Sequence, residues 1–596
     1  MAKTIPLRSE IDPKYFWHLN DIYESKQAWL ADFEKLKKES AELASYQGKV
    51  AKEAKEAILL YFQARKTGSH LNAYAQMQKD TDGGNDEYRA TYDMLATQIV
   101  AFESAAAFLI PELIALPEAD LEALINDPAM ADYSRFLESL KRQKPHILSA
   151  AEERILAMAG EMAKAPQQTY TAFTEVDMLF PDVHDDQGEV IPFSESTYSP
   201  LIRSKNRAVR KEAFEAMFKT YGQYGTTLAS VYATSVKKDL FYATLRNFPS
   251  CVEAALFENE IPLSVYDNLI SAIHATLPTL SEYLAVRKKA LKLDELHMYD
   301  LYCPIIDSFD MDMPYEKAYE LVAEGMYPMG EEYVAHLKDA YSLGWIDVFP
   351  NKGKHNGAYS FGAAYGVHPY VLLNHNDNLS GAMTIAHEMG HAMHSFYSSA
   401  TQPFAKSRYS IFVAEVASTC NEIIVMKHLM ETYKDNKEAL AYLCNHLLEQ
   451  FRTTVFRQTM FAEFERISHK MAEEGKPLTR DALSKAYHDL NKQYYGSVCE
   501  VDELIADEWI RIPHFYRAFY VYQYATGFSA AVYLANRILT EGAPAVEDYF
   551  KFLSAGSSVP PIEALKLAGV DMSKPEPILS AMQVFKDTLA QFKSLI

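Results

Sequence analysis

Apolar residues recur at helical spacing over most of the chain. In EAKEAILLYFQARKTGSHLNAYAQM (53–77), they fall three and four residues apart, the pattern of a helix with one buried face. The same spacing runs from residue 26 to about 165, resumes at SKNRAVRKEAFEAMFKTY (204–221), and returns from residue 409 to the C-terminus. The pattern therefore predicts a mainly α-helical fold.

Two stretches interrupt the helical pattern. In residues 178–194, a turn-forming Asp-Asp-Gln-Gly lies between short apolar segments, which predicts a β-hairpin followed by a domain boundary. We therefore predict a helical domain over 1–199 and a second domain over 200–596. In residues 357–378, three glycines and a proline disfavour a helix, whereas Tyr370–Leu373 suit a short strand. A small sheet is predicted just before the helix that follows.

Composition limits the classes of partner. The 596-residue chain has a formal charge of −22 at pH 7, and an acidic protein lacks the basic surface that binds nucleic acids and anionic membranes. We find neither a run of roughly eighteen uncharged apolar residues nor the pattern of a secretion or transit signal. The five cysteines are widely spaced without a CxxC pair, which predicts reduced, buried thiols. We expect a cytoplasmic protein without nucleic-acid or membrane partners; the oligomeric state is left open.

The sequence TIAHEMGHAMHSFYSSA (384–400) contains a His-Glu-x-x-His motif in a helical stretch. Helical geometry places His387 and His391 on one face, where two imidazoles reach a single ion. Glu388 is rotated by about 100° from His387, so it is better placed to act on a water molecule than to bind the ion. A catalytic zinc site needs a third protein ligand and keeps a fourth position for water. Because so short a motif also arises by chance, the third ligand is the deciding observation.

A second helical stretch, residues 409–433, offers that ligand. Glu415 lies in an otherwise apolar turn, where a carboxylate is costly to bury without a partner such as a metal. Glu422, seven residues later on roughly the same face, is placed to orient a ligand imidazole. Gly390 lies inside the motif helix, where glycine costs about 1 kcal/mol, which indicates that another segment crosses there. The alternative is that both glutamates are ordinary solvated helix residues.

Several stretches together resemble the oligoendopeptidase F branch of the thimet oligopeptidase-like zinc peptidases. TIAHEMGHAMHS resembles that family's motif helix, and FVAEVASTCNE resembles the segment that carries its glutamate ligand. The resemblance extends to KALKLDELHMYDLY (289–302), GAYSFGAAYGVHPYVLLN (357–374) and RIPHFYRAFYVYQYATGF (511–528). It implies that His387, His391 and Glu415 bind one zinc ion per chain and that Glu388 is the general base.

The resemblance also implies an architecture and a substrate. We expect an elongated multi-helix body that encloses a deep channel, an N-terminal domain of the oligoendopeptidase F type, and a small β-sheet beside the motif helix. Such a channel would restrict substrates to short unstructured oligopeptides, cut at internal bonds. The sheet would bind peptide as an added strand, a role that falls on Gly357, Tyr359 and Gly362. The alternative is a structural hairpin without a ligand.

Aromatic residues form a further pattern in HFYRAFYVYQYATGF (514–528). Tyr516, Tyr520 and Tyr524 recur every four residues and are expected to share one helix face, with His514 at the helix entrance. Peptide hydrolysis builds negative charge on the carbonyl oxygen, which preorganised donors stabilise. The resemblance assigns this role to His514, Tyr520 and Tyr524. Aromatic residues at this spacing are also typical of a core, and that alternative stays open.

Three functions are compatible with these patterns. The leading hypothesis is a zinc-dependent endopeptidase of oligopeptides that uses metal-activated water and a glutamate base. A metallocarboxypeptidase of similar architecture would add a cation for the substrate's terminal carboxylate, for which Arg408 and Arg517 are available. A non-enzymatic helical scaffold is the third hypothesis, and it would have no need of a carboxylate beside two histidines.

Overall fold

Helices form most of the protein. The computed structural model describes residues 5–306 and 311–596. In chain order the helices are α1 Lys26–Ala44, α2 Val50–Thr81, α3 Asp86–Ala106, α4 Leu109–Ala115, α5 Glu118–Ile125, α6 Ser134–Gln143, α7 Ala150–Ala163, α8 Ala165–Ala172, α9 Glu195–Leu201, α10 Arg207–Gln223, α11 Gly225–Leu245, α12 Cys251–Phe257, α13 Leu263–Ala290, α14 Tyr315–Gly325, α15 Glu331–Ser342, α16 Leu379–Thr401, α17 Ile411–Thr432, α18 Lys437–Gln450, α19 Arg457–Glu473, α20 Arg480–Tyr495, α21 Tyr522–Glu541, α22 Ala543–Leu553, α23 Pro561–Leu567 and α24 Glu576–Leu595. The predicted mainly α-helical fold is confirmed.

Short strands form three small sheets in the described ranges. They are β1 Val183–His184, β2 Val190–Ile191, β3 Leu296–His297, β4 Ile346–Asp347, β5 Tyr359–Phe361, β6 Tyr370–Leu372 and β7 Cys499–Glu500. β1 and β2 pair antiparallel, with Val183 opposite Ile191, so the predicted hairpin is present. β3 pairs with β7 in parallel. In the third sheet, β6 lies between the parallel β4 and the antiparallel β5.

The chain forms two compact units, and each unit takes three segments of the sequence. The first unit comprises Met1–Lys144, Asp310–Leu429 and Leu534–Asp571; the second comprises Pro145–Phe309, Met430–Tyr533 and Met572–Ile596. The predicted division at residue 199 and the predicted enclosed channel both stay predictions.

An aromatic core joins the first helices of the first unit. Trp29 and Phe33 of α1 are buried and stack with their ring centroids 5.3 Å apart. The indole N–H of Trp29 donates a hydrogen bond to the carbonyl oxygen of Leu71 in α2 at 3.1 Å. A buried indole needs such an acceptor, because an unsatisfied N–H in the core costs free energy. The apolar face predicted for residues 53–77 is therefore buried against α1.

A close approach places the three-stranded sheet against α16. Gly362 directly follows β5, and a Cβ atom there would lie 2.4 Å from Ser395 Cβ in α16, which leaves room only for glycine. Asn378 caps α16 by accepting a hydrogen bond from the Gly381 amide at 2.9 Å. β5 pairs with β6 on one side, and no other described strand pairs with its outer edge. The predicted small sheet beside the motif helix is confirmed.

Buried ion pairs connect the helices of the second unit. Arg287 of α13 and Arg452 both contact the carboxylate of Glu449 in α18, at 2.6 and 2.8 Å. Arg457 at the start of α19 pairs with Glu508 at 2.8 Å. Removing one partner of a buried pair leaves an uncompensated charge, which costs roughly 3–5 kcal/mol. The Arg287–Glu449 pair therefore restricts how α13 packs on α18, and the Arg457–Glu508 pair ties α19 to the 3₁₀ helix Glu503–Arg511.

One helical stretch meets the length and composition criteria for a membrane span. It runs over Asp86–Ala115, that is α3 and α4, with a mean hydropathy of 1.5 in its most apolar window. This stretch contains the charged residue Glu103. It is therefore not one of the uncharged apolar runs that we looked for in the sequence. A single such helix is weak evidence, because core helices of soluble proteins meet the same criteria. The absence of a membrane partner stays a prediction.

All five cysteines are free and buried, as predicted. Burial raises the pKa of the Cys420 thiol to about 12. Burial also raises the pKa values of Cys251, Cys303 and Cys499. Because the thiolate is the reactive form, these thiols are chemically inert near neutral pH.

Candidate active site

Two helices of the first unit cross at Gly390. A Cβ atom at this position of α16 would lie 2.6 Å from Ser418 Cα and 2.7 Å from the carbonyl oxygen of Ala417 in α17. No side chain tolerates such distances, so glycine allows the two helix backbones to touch. The crossing predicted from Gly390 is confirmed. It brings Glu415 and Glu422, on either side of the contact, towards the motif histidines.

His387, His391 and Glu415 bring three metal-binding atoms together. These atoms all lie within 4.8 Å of one another. The Nε2 atoms of His387 and His391 lie 3.3 and 3.4 Å from Glu415 Oε2. Ligand atoms about 2.0–2.2 Å from a tetrahedral zinc ion are roughly 3.3–3.6 Å apart. Both the spacing and the donor set, two imidazoles and one carboxylate, therefore fit a catalytic zinc ion.

The charges of these side chains shift the pKa values of His387 and Glu415. Burial lowers the pKa of His387, but hydrogen bonds with Glu415 and Glu422 outweigh burial and raise this pKa to about 10. Burial raises the pKa of Glu415, but the two imidazoles outweigh it and hold this pKa well below its usual range. The Glu415 carboxylate therefore stays charged and available to a cation. Metal binding here would release a proton from His387, because a ligating imidazole is neutral.

Glu415 is half-buried at the edge of the apolar turn. Its side chain is 45% exposed, whereas the neighbouring Phe412 and Val416 are buried. The helical period turns Glu415 away from their apolar face. Ser418 donates a hydrogen bond to Glu415 Oε2 at 3.0 Å and restricts its rotation. Sequence reasoning missed Ser418, although its three-residue spacing from Glu415 on one helix is a usable signal.

Glu422 contacts the ring of His387 on the side opposite Nε2, the nitrogen that could bind a metal. Glu422 Oε1 lies 2.6 Å from His387 Nδ1, which favours the tautomer that leaves Nε2 free for a metal. The adjacent Asn421 donates to the carbonyl oxygen of Ala386 at 3.3 Å and accepts from the Tyr333 hydroxyl at 2.9 Å. The first bond anchors α17 to α16 at the level of the histidines, and the second anchors α17 to α15. The predicted contact between Glu422 and a ligand imidazole is present.

Glu388 lies beside the three donors without joining them. It is 7% exposed, and burial raises its pKa although His387 and His391 act in the opposite direction. No hydrogen bond to its carboxyl group is found among the described residues. A carboxylate with a raised pKa and free oxygen atoms is suited to accept a proton from a nearby water molecule.

The residues predicted to bind peptide surround β5 in the first unit. Tyr359 lies within β5, and its hydroxyl donates to Asp80 Oδ2 at 2.8 Å. Gly357 precedes the strand with a φ of 82°, in the left-handed region that favours glycine. Asn374 donates to the carbonyl oxygen of Gly357 at 2.7 Å and holds this turn. With Gly362 packed on α16, these contacts fix β5, and no strand within residues 5–306 and 311–596 pairs with its outer edge. Substrate binding there stays a prediction.

His514, Tyr520 and Tyr524 form a ring cluster in the second unit. The rings of Tyr520 and Tyr524 are perpendicular, with centroids 5.4 Å apart. The His514 ring lies 6.4 Å from Tyr520 and 6.1 Å from Tyr524, and Tyr524 Oη is 3.5 Å from His514 Nε2. Burial lowers the pKa of His514, and the cation of Arg517 lowers it further. His514 is therefore neutral at physiological pH.

This cluster is not built on one helix face, so that expectation is wrong. Pro513–Tyr516 forms a separate 3₁₀ turn, and α21 begins only at Tyr522. Between them the backbone passes through Phe519 with a φ of 56°, which interrupts the helical period. Tyr516 is directed elsewhere and is buried against Tyr170, with ring centroids 4.5 Å apart.

A helical fold that presents a His-Glu-x-x-His motif, with a glutamate from a second helix at the same point, is that of a metallopeptidase. Comparison with known proteins agrees. Residues 201–584 match Peptidase family M3, and residues 112–180 match Oligopeptidase F. The chain belongs to peptidase family M3 and is a metalloendopeptidase.

Individual relatives cover nearly the whole chain. Oligopeptidase PepF of Bacillus subtilis (strain 168) is 44% identical over 599 residues, which cover 100% of this chain and 89% of the relative. The crystal structure of oligoendopeptidase-F from Enterococcus faecium is 35% identical, with a TM-score of 0.72 over 96% of this chain and 99% of that one. A crystal structure from Chlamydophila abortus is 32% identical, with a TM-score of 0.93 over 100% of both chains.

Proposed function

We propose that this peptidase is a zinc-dependent endopeptidase that hydrolyses internal bonds of short unstructured oligopeptides in the cytoplasm, with one zinc ion per chain. The observation that carries the proposal is the spacing of His387, His391 and Glu415, whose donor atoms lie within 4.8 Å of one another, beside the uncommitted carboxyl group of Glu388. A zinc ion held by these three residues would lower the pKa of a bound water molecule and polarise the carbonyl group under attack.

Glu388 is the proposed general base. Its carboxylate takes a proton from the attacking water and then passes that proton to the leaving amine. Its raised pKa makes it a stronger base than an exposed glutamate. Glu422 keeps the His387 ring in the orientation that directs Nε2 towards the metal. Glu388 thus transfers the proton, and Glu422 orients the ligand His387.

β5 is the proposed peptide-binding strand. The main-chain N–H and C=O groups of its outer edge pair with no other strand in the part of the chain that the structure describes, and an extended peptide pairs with such an edge by strand addition. Gly357 precedes the strand, and nothing lies within 4 Å of where its Cβ atom would be, so a second backbone can approach closely there. Gly362 instead seats the end of the strand on Ser395 of α16. Main-chain pairing requires an extended substrate, which favours short unstructured peptides over folded proteins. The names of the relatives, an oligopeptidase and an oligoendopeptidase, support this substrate class.

His514, Tyr520 and Tyr524 are the proposed donors to the substrate's carbonyl oxygen. Hydroxyl and imidazole N–H groups donate more strongly to that oxygen as negative charge develops, and this difference lowers the barrier. The lowered pKa of His514 suits a neutral donor. The three rings lie close together, which supports a shared role, because their hydroxyl and imidazole N–H groups could then donate to the same oxygen atom.

Metal analysis combined with peptide mapping tests the proposal. Purified protein should contain about one zinc per chain, and chelation should abolish activity until zinc is restored. Mass spectrometry of digests should show internal cuts, at equal rates in peptides with free and amidated C-termini. Trimming confined to peptides with a free C-terminus would instead indicate a carboxypeptidase. Active, chelator-resistant protein without a transition metal would exclude the metal mechanism.

A further inference from the structure

Glu465 is a buried carboxyl group that the proposed chemistry does not use. It lies in α19 of the second unit and is 0% exposed. Its Oε1 accepts a hydrogen bond from the Phe519 amide at 2.9 Å, while Oε2 has no hydrogen-bond partner among the described residues. Burial raises its pKa well above the usual range, which favours the neutral acid. A carboxyl group buried without a cation is costly and calls for a reason.

The partner of Glu465 has an unusual backbone conformation. Phe519 has a φ of 56°, which is rare for a residue with a bulky side chain. Among the described non-glycine residues with positive φ, the other three, Asn247, Glu260 and Lys292, follow the ends of helices, where this conformation is common. Phe519 instead precedes a helix. Such strain persists only where the surroundings hold it, and it concentrates at functional sites.

Two contacts hold Phe519 in place. The Glu465 carboxyl group binds its amide, and its ring packs between His469 and Tyr266, with centroid distances of 4.6 and 5.9 Å. The ring alone would tolerate rotation of the adjacent peptide, whereas the hydrogen bond fixes the direction of the N–H. With the ring and the N–H both held, the φ angle of Phe519 is restrained, and with it the direction in which the chain continues towards Tyr520.

We propose that Glu465 is a positioning residue: by binding the Phe519 amide, it holds the left-handed turn that sets Tyr520 and Tyr524 against His514. This inference rests on the proposed role of those three residues as donors. Without the acceptor, Phe519 relaxes to negative φ, the Tyr520 ring leaves its place 5.4 Å from Tyr524, and the donor geometry is lost. Misplacement of a catalytic group by about 1 Å costs roughly 100-fold in rate.

Two substitutions separate the hydrogen bond from the space that the side chain fills. Glu465→Gln keeps an acceptor oxygen for the Phe519 amide, whereas Glu465→Met keeps the volume and removes the acceptor. Ser468→Ala is the control, because it removes a buried hydroxyl of the same helix that bonds to the Tyr232 hydroxyl at 2.8 Å and to the main-chain carbonyl of Glu465 at 3.0 Å, while the Glu465 side chain and its bond to the Phe519 amide stay in place. kcat and KM are measured with one internally quenched peptide as substrate. Zinc content and thermal stability are measured on the purified variants.

We expect Glu465→Met to lower kcat roughly 10–100-fold, with KM within about threefold and unchanged zinc content. Glu465→Gln should stay within about threefold of the wild type, and Ser468→Ala should lower thermal stability while leaving kcat unchanged. If Glu465→Met lowers thermal stability as Ser468→Ala does but keeps wild-type kcat, the inference is overturned. If Glu465→Met does not fold, Glu465→Asp takes its place; its side chain is one methylene shorter, so the carboxyl group lies farther from the Phe519 amide and kcat should fall by an intermediate amount. Wild-type kcat in Glu465→Asp would overturn the inference.

A double-mutant cycle separates this inference from the proposed function. Tyr520→Phe and Tyr524→Phe are made alone and combined with Glu465→Met. If Glu465 acts through the tyrosines, its effect on kcat shrinks in a background where the hydroxyl is already absent. If a tyrosine variant loses kcat but the Glu465→Met effect is fully additive to it, the positioning inference is overturned and the proposed donor role of the tyrosine stands. Wild-type kcat in both tyrosine variants refutes their proposed donor role, and with it the reason for positioning them.

Discussion

Gly390 and Ser418 touch backbone to backbone: a Cβ atom on Gly390 would lie 2.6 Å from Ser418 Cα. The three atoms that could hold a metal come from both helices of this contact, so their spacing depends on an interhelical distance that only glycine permits. Gly390→Ala should therefore reduce zinc occupancy. It should also lower the free energy of unfolding by roughly 1–3 kcal/mol, the usual cost of overpacking. This outcome opposes helix propensity, which favours alanine by about 1 kcal/mol.

Gly160→Ala is the control for that substitution. Gly160 lies inside α7, and a Cβ atom there meets nothing within 4 Å. This variant should be as stable as the wild type or more stable, and it should keep its zinc. If Gly390→Ala behaves in the same way, the backbone contact does not determine the geometry of the metal site.

Substitutions of two glutamates should separate catalysis from metal binding. Glu388→Gln should keep its zinc and its melting temperature while losing roughly 10²–10⁴ in kcat, because an amide does not accept the proton of the attacking water. Glu415→Gln should instead lose zinc affinity, since a neutral amide replaces a charged ligand. Zinc content and turnover are measured side by side. Near wild-type values of both in both variants would show that the assigned roles are wrong.

Glu422 should act on the metal through His387. Glu422→Gln weakens the 2.6 Å contact with Nδ1, and loss of such a partner typically lowers metal affinity 10–100-fold. A competition titration with a zinc chelator measures the change. Glu431→Gln, an exposed position on the same helix that pairs with Lys434, serves as the control and should match the wild type. Equal affinities in the two variants would remove Glu422 from the metal site.

His394 should make the protein sensitive to acid. It is 1% exposed, stacks on Tyr409 with ring centroids 3.6 Å apart, and burial lowers its pKa to about 3. Because the unfolded chain binds this proton at about pH 6.5, the folded protein loses stability as the pH falls from there towards 3, by about 1.4 kcal/mol per pH unit. His394→Phe keeps an aromatic ring and removes the titration, so it should lose roughly 2 kcal/mol less between pH 7 and pH 5.

Thermal melts of chelator-treated protein measure this difference, because loss of metal then contributes nothing to the pH dependence. Equal pH dependence in the wild type and in His394→Phe would show that His394 is already protonated in the folded state or is not buried in solution.

Substrate length should limit the rate of cleavage. Casein is long yet largely unstructured, so the expected enclosed channel predicts slow cutting of intact casein and fast cutting of its tryptic fragments. Peptides that pair with β5 through the main chain gain little from any one side chain. Rates per susceptible bond are compared by mass spectrometry. Equal rates on both substrates would indicate an open cleft and would contradict the restriction to oligopeptides.

Local chemistry made the metal site predictable from the sequence. His387 and His391 follow from a four-residue helical spacing, and Gly390 indicated the crossing because glycine inside a helix usually has a packing reason. The exposure of Glu415 was not predictable in this way, since its position depends on where α17 meets α16. The turn at Phe519 was missed for a similar reason: a tertiary hydrogen bond from Glu465 holds a backbone conformation that local sequence disfavours.

The burial of every native cysteine has a practical consequence for experiments on this peptidase. Because none of these thiols is accessible, maleimide reagents should leave the native protein unlabelled. A single cysteine introduced on the surface of each unit would then carry a dye or spin label without removal of the native ones. Distances between such labels, recorded with and without an inhibitor, would follow the two units during the catalytic cycle in an otherwise unaltered protein.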